Sequence, residues 1–306
     1  YVVPDPETGV ADPDLPEWSE IDESLDAALR EFAFRVGFDD FYLVEPESYV
    51  VVYSTSKGID FATSLRNGPH SGTQLAALID NLANEPEPGD VAVRDFAPYA
   101  PAGDRPTAFI GSPLFVDGQV AGYVAGRFSA DDLTEIVTND QRWGQEGDTG
   151  ETYVVAADGR MRSDARLFLE DEPAFIEQVE AVGTATADEV RLMERFDTTV
   201  LFQEIDDEVV DSVFAGSPGV EVRTNYLDTE VLSSARVADI DGLQWAVFAE
   251  ADSSEIREPI SEFARNLLIA IAVFIVVVTF ISVRGAARLL EPLRIISMRL
   301  RALRSS

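Results

Sequence analysis

Residues 267–283 read LLIAIAVFIVVVTFISV, an apolar run in which Thr279 and Ser282 are the sole polar members. No other feature constrains the chain as tightly. At about 1.5 Å per helical residue the run spans roughly 26 Å, near the lower limit for a bilayer core. Arg265 and Arg284 bracket it, placed to carry their cationic heads to the two interfaces. The alternative is a helix buried in a water-soluble core, but that helix would seldom be apolar on every face. Past Val283 stand six arginines against one acid, Glu291. The excess of cations on that side predicts a membrane-spanning helix over 267–283, with 284–306 cytoplasmic and 1–265 extracytoplasmic.

Charge and composition narrow the chemistry. The 306 residues carry a formal charge of −33, which argues against a nucleic-acid partner, because gripping a phosphate backbone takes clustered cations. With no cysteine there is no disulfide scaffold and no thiolate chemistry. The single histidine, His70, forbids a multi-histidine metal centre and follows Pro69 in a loop, where a surface position is expected. No Gly-x-Ser-x-Gly turn is present. A membrane-anchored hydrolase would therefore need a carboxylate pair, and an adhesion module would leave the basic tail unexplained. No metal or cofactor is expected. Lys57 is the one lysine among 23 basic residues, a composition that suits either a salt-rich habitat or an arginine-favouring genome.

Turn chemistry and periodicity lay out the rest. Trp18, Ile21, Leu25, Ala28, Leu29, Phe32 and Val36 recur at helical spacing up to Gly37, predicting a long helix over 16–37 behind an irregular segment 1–15. Strand-type runs at 40–44 and 49–54 flank Glu45-Pro46-Glu47-Ser48, and a helix is expected at 72–83. Asp117-Gly118 between 108–115 and 119–128 is a strong hairpin signal. The same grammar repeats: 152–156 and 160–163 flank Ala157-Asp158-Gly159, helices follow at 173–182 and 207–214, and runs at 220–226, 231–237 and 243–250 close the unit. The expected fold is α+β: two tandem modules with antiparallel sheets at 38–143 and 144–252, jointed at Gly144–Gly150. A connecting helix over 253–266 then leads into the span. The chain starts without methionine and stops within an amphipathic stretch, so an upstream export element and a downstream output domain are expected in a longer polypeptide.

Several blocks in order resemble the double-Cache sensor domains of transmembrane receptors. They are Gly37-Phe38-Asp39-Asp40-Phe41-Tyr42-Leu43-Val44; Val52-Tyr53 through Lys57, Asp60-Phe61 and Gly68-Pro69; Asp95-Phe96-Ala97-Pro98-Tyr99; Ala108-Phe109-Ile110 through Pro113; Thr149-Gly150-Glu151-Thr152-Tyr153; and Met161-Arg162-Ser163-Asp164 with Arg166. The likeness covers about 20–260 and is nearest to sensors ahead of HAMP linkers and class III adenylate/guanylate cyclases. Chemotaxis transducers and sensor kinases carry similar domains. It implies two stacked PAS-like modules, a small-molecule ligand in the membrane-distal one, and a cytoplasmic output domain. Residues 284–306 resemble the first helix of a HAMP linker, with Glu291-Pro292-Leu293 at its Pro-Leu step and Leu289, Leu293, Ile296, Leu300 and Leu303 at heptad-like spacing, as a homodimer requires. The alternative for that stretch is a juxtamembrane helix held on anionic lipid. The Arg-x-Trp-Tyr block of amino-acid-sensing members is replaced here by Pro69-His70-Ser71-Gly72-Thr73-Gln74.

The candidate ligand-binding residues are Tyr53, Ser56, Lys57 and Asp60, with Asp95, Tyr99 and Phe109. Lys57 with Asp60 would suit a zwitterion or carboxylate, or else form a local ion pair. Asp95 and Tyr99 would line the pocket or clasp a loop. Arg162 and Arg166 suit an anion, or neutralise an acidic surface.

Overall fold

The computed structural model describes residues 16–138, 149–216, 219–255, 263 and 265–279, with side chains from Ser24 onward. The expectations for 1–15, most of the joint at 144–150, most of the connecting helix at 253–266, the end of the span at 280–283 and the HAMP-like stretch 284–306 fall outside those residues. Two compact units result, 1–252 and 253–306.

The first unit opens with helix α1, Pro16–Val36. Gly37 ends it at φ 87°, a left-handed value that glycine adopts without steric cost. The first module follows: β1 (Asp40–Val44), β2 (Val51–Ser54), α2 (Gln74–Leu82), β3 (Ala92–Tyr99), β4 (Arg105–Val116), β5 (Gln119–Ser129) and α3 (Ala130–Val137). Its five strands are antiparallel in the order β2-β1-β5-β4-β3. The β4–β5 turn forms where Asp117-Gly118 predicts it, both residues at positive φ. Leu75, Leu78, Ile79 and Leu82 recur along one face of α2 and are buried on the sheet, while Thr73 caps the helix by accepting from the Ala76 amide.

The second module holds β6 (Glu151–Ala156), α4 (Arg166–Glu170), α5 (Glu172–Val182), α6 (Ala187–Phe196), α7 (Asp207–Phe214), β7 (Val220–Thr224), β8 (Glu230–Val237) and β9 (Trp245–Asp252). Its strands run β6-β9-β8-β7. Met161 bridges Val155 from the outer side, so the run at 160–163 stands where β2 stands in the first sheet, as a single bridge rather than a strand. With that bridge the two sheets share one order, and the repeat in the sequence corresponds to a repeat in topology. β3, α3, α4 and α6 are not anticipated, although the Thr186–Glu189 capping box of α6 is a local signal.

The two sheets are not independent bodies. Phe96, Ala108 and Ala130 of the first module share a buried cluster with Val154, Ala156, Val200 and Trp245 of the second. In the other unit, residues 265–279 are helical, and the large apolar side chains from Leu267 to Val278 are exposed. Among the described residues no helix is long and apolar enough to cross a membrane.

Candidate functional site

Side chains alternate across a strand, so register decides which residues meet. Asp40 on β1 pairs Arg127 on β5, Arg127 pairs Phe109 on β4, and Phe109 pairs Arg94 on β3. These four share one row on the face that α2 covers. Tyr42 lies two residues on from Asp40, in the same core as Phe109, Tyr99 and the α2 leucines. Three strands thus place a charged residue at an inward position.

Asp40 is fully buried and well supplied with donors. Its carboxylate accepts from Thr55 Oγ1 at 2.6 Å, the Phe41 amide at 2.9 Å, the Ser56 amide at 3.1 Å and Ser54 Oγ at 3.2 Å, and Ser56 Oγ also donates to it. Asp60, on the loop that follows β2, is 1% exposed and accepts from the Tyr99 hydroxyl through Oδ2 at 2.6 Å. Among the described residues its Oδ1 has no hydrogen-bond partner, nor do Arg127 Nε, the Tyr42 hydroxyl or Arg94 Nε, although Arg94 Nη2 donates to the Ala77 carbonyl oxygen on α2 at 3.0 Å. Tyr42 and Tyr99 flank the Phe109 ring, Tyr99 edge-on with centroids 4.9 Å apart.

The electrostatics follow from burial. Desolvation pushes the Asp60 carboxyl above its ordinary pKa and neighbouring Asp40 adds to it, against the Tyr99 hydrogen bond and His70. Tyr99 is raised by burial first and then by Asp60. Burial works against the Arg127 cation, but Tyr42, Asp40, Asp39 and Asp60 outweigh it and hold the guanidinium above its usual value.

The structure sorts the seven sequence candidates into three places. Asp60, Tyr99 and Phe109 belong to the inward cluster, and Ser56 supports Asp40 at its edge. Tyr53 and Lys57 do not join them. Tyr53 packs with Phe41 and Ala33 on the opposite face, against α1. Its hydroxyl donates to Asp26 at 3.0 Å, and Lys57 Nζ meets the same carboxylate at 3.2 Å. Burial opposes ionisation of Asp26, but hydrogen bonds from Arg30, Tyr53 and Lys57 prevail and hold its carboxyl below the usual range. The expected pairing of Lys57 with Asp60 is thereby replaced by a tie to α1. Left-handed backbone at Lys57 (φ 50°) accompanies that turn.

Asp95 occupies the third place, the junction of the modules. Between Arg94, paired with Phe109, and Ala97, paired with Thr107, two β3 residues oppose the single residue Ala108. This bulge re-aims Asp95 and Phe96 toward the second module. Asp95 accepts from Arg162 Nε at 2.9 Å and Nη2 at 3.0 Å, and from Trp245 Nε1 at 2.9 Å. Arg162 is 3% exposed, so a surface-neutralising role is overturned. His70 is likewise buried, with Nε2 3.3 Å from the Ile59 carbonyl oxygen, rather than on the surface.

Sequence reasoning overlooked Asp40, Tyr42, Arg94 and Arg127. The signal for them is a polar residue at an inward strand position, legible only once the register is known. A concavity of about 550 Å³ opens in the second module between Thr184, Glu204–Glu208 and Arg223–Tyr226. Among the described residues no three His, Cys, Asp or Glu side chains converge to hold a metal.

No family model matches this chain, and no curated protein matches it. Solved structures do. The ligand-binding domain of the Pseudomonas aeruginosa amino acid chemoreceptor PctC with GABA is 16% identical, covering 77% of this chain and 92% of that one at a TM-score of 0.42. The corresponding domain of the Pseudomonas fluorescens chemoreceptor CtaA with L-leucine is 12% identical, covering 72% and 74% at 0.40. The periplasmic sensory domain of a Campylobacter jejuni chemoreceptor is 12% identical, covering 72% and 73% at 0.43.

Proposed function

We propose that this chain is the ligand-sensing region of a transmembrane receptor of the double-Cache type, and that the first module holds the ligand on the inward face of its sheet. One observation carries the reading: Asp60 Oδ1, Arg127 Nε and the Tyr42 hydroxyl are buried near one another without hydrogen-bond partners among the described residues. A buried polar group left unpaired costs about 1–3 kcal/mol, and a cluster of three is a natural place for a ligand to supply the missing partners. The set contains acceptor and donor, anion and cation, and so suits a small molecule bearing both a hydrogen-bond donor and an acceptor. Sharing one strand order between the two sheets and the ordered sequence blocks support the same reading.

On this proposal residues 267–283 cross the cell membrane and 284–306 begin a HAMP linker in a homodimer, feeding a cytoplasmic output. The resemblance makes that output a nucleotide cyclase, with a chemotaxis transducer or a histidine kinase as the second reading. The chain itself is not an enzyme on this account. Ligand must favour one signalling state over the other by differential affinity, or nothing is transmitted.

The test is a thermal-shift screen of the full chain in detergent against amino acids, amines and carboxylates, followed by calorimetry of each hit. A ligand that binds the wild type and is lost in both Asp60→Asn and Arg127→Ala supports the pocket. A ligand whose binding survives both substitutions places the site elsewhere. Extraction of the intact chain from membranes by alkaline carbonate, without detergent, overturns the receptor reading.

A further inference from the structure

Strand β3 touches two places that the rest of the fold keeps apart. Its last residue, Tyr99, donates to Asp60 in the inward cluster at 2.6 Å. Four residues earlier, both oxygens of Asp95 are taken by the second module, through Arg162 and Trp245. Phe96 stacks on the Trp245 indole, ring centroids 6.0 Å apart and 13° from parallel. Trp245 opens β9, and β9 ends at Asp252, the last residue of the compact unit.

The receiving side is stiff. Arg162 is also held by Asp158 at 2.7 Å and by the Arg160 carbonyl oxygen at 3.0 Å. A planar guanidinium fixed on several sides cannot swivel to absorb a displacement of its partner. Trp245 is buried among Val154, Ala156 and Val200, so it moves with its sheet. The sending side is compliant, because the bulge at Asp95 and Phe96 interrupts the β3–β4 ladder.

We propose that Asp95 is the coupling residue of this chain: a change at the Tyr99–Asp60 hydrogen bond displaces β3, and Asp95 passes that displacement to β9 through Trp245 and Arg162. The biological meaning rests on the first-module cluster being the sensing site, whereas the coupling between β3 and β9 needs no ligand. Thermodynamic reciprocity requires that a change at Asp95 also be felt at Tyr99.

Hydrogen–deuterium exchange on the full chain in detergent tests this without any ligand. Tyr99→Phe deletes the cluster hydrogen bond and should speed exchange of the β9 amides, residues 246–251, by about fivefold or more, the low end of ordinary intersite coupling. Tyr53→Phe deletes a comparable bond, to Asp26, on the opposite sheet face and should leave β9 unchanged. In an Asp95→Asn background the response to Tyr99→Phe should vanish. Trp245→Phe, which removes the indole donor but keeps a ring against Phe96, serves as the second background should Asp95→Asn unfold. The proposal is overturned by unchanged β9 exchange in Tyr99→Phe, by an equal response to Tyr53→Phe, or by a response that persists in the uncoupled background. Failure here leaves the ligand screen standing, and failure of the screen leaves this result standing.

Discussion

Glu151 and Glu250 face each other directly across β6 and β9, two buried carboxylates in register on neighbouring strands. Their surroundings divide them. Glu250 is met by Arg223 and by Ser233 Oγ at 2.9 Å. Glu151 has neutral donors, the Tyr226 hydroxyl at 2.8 Å and the Arg166 amide at 2.7 Å. Burial first, with Glu250 adding to it, raises the Glu151 carboxyl from 4.5 to about 7.

That asymmetry predicts a pH-dependent stability. Glu151 holds its proton more tightly folded than unfolded, so its stabilising contribution is complete below about 4.5 and is lost as pH rises through about 7. Denaturant midpoints of the wild type should therefore fall between pH 4.5 and about 7 by more than those of Glu151→Gln. Parallel curves would show that Glu151 does not titrate there.

Asp60 is expected to trade stability for binding. Among the described residues its buried carboxylate has a single side-chain donor, Tyr99, and its ionised form is disfavoured by burial. Asp60→Asn should unfold no earlier than the wild type near neutral pH, and should gain about 1 kcal/mol without ligand. A marked loss in the denaturant midpoint would show that the carboxylate is structural.

Arg162 should be far less forgiving. Arg162→Ala leaves Asp95 and Asp158, both partly open to solvent, without their shared cation and should cost about 1.5–3 kcal/mol by chemical denaturation. Arg162→Lys should recover only part of it, because a compact ammonium cannot meet both oxygens of Asp95 and Asp158 together. A cost below about 1 kcal/mol for Arg162→Ala would reduce the pair to a surface contact.

Gly111 lies directly beneath α2, with the Val124 backbone of β5 at its side. A Cβ there would stand 2.7 Å from the Val124 carbonyl oxygen and 2.9 Å from Leu78 Cδ2. Gly111→Ala should cost about 1–3 kcal/mol through overpacking. At Gly72 an added Cβ meets nothing within 4 Å, and Gly72→Ala should stay within about 0.5 kcal/mol of the wild type. Equal midpoints for the two variants would contradict the close approach of α2.

What the amino-acid order determined is local. The Asp117-Gly118 turn, the end of α1 at Gly37 and the buried face of α2 each follow from residues within a few positions of one another. The repeat of two antiparallel modules was legible for the same reason, since each hairpin announces itself by its turn. The membership of the inward cluster was decided by tertiary structure. Asp40, Arg127 and Arg94 share a row only because three strand pairings take one register, and a slip of one residue would turn each to the other face. Lys57 finds its carboxylate 31 residues away on α1, while nearby Asp60 turns to Tyr99. Asp95 is aimed by a bulge that nothing in Asp95-Phe96-Ala97 encodes alone. Sequence neighbours settle backbone shape through short-range sterics and hydrogen bonds. Which side chains share a buried space depends on how distant strands align, and that is set by the packing of the whole core.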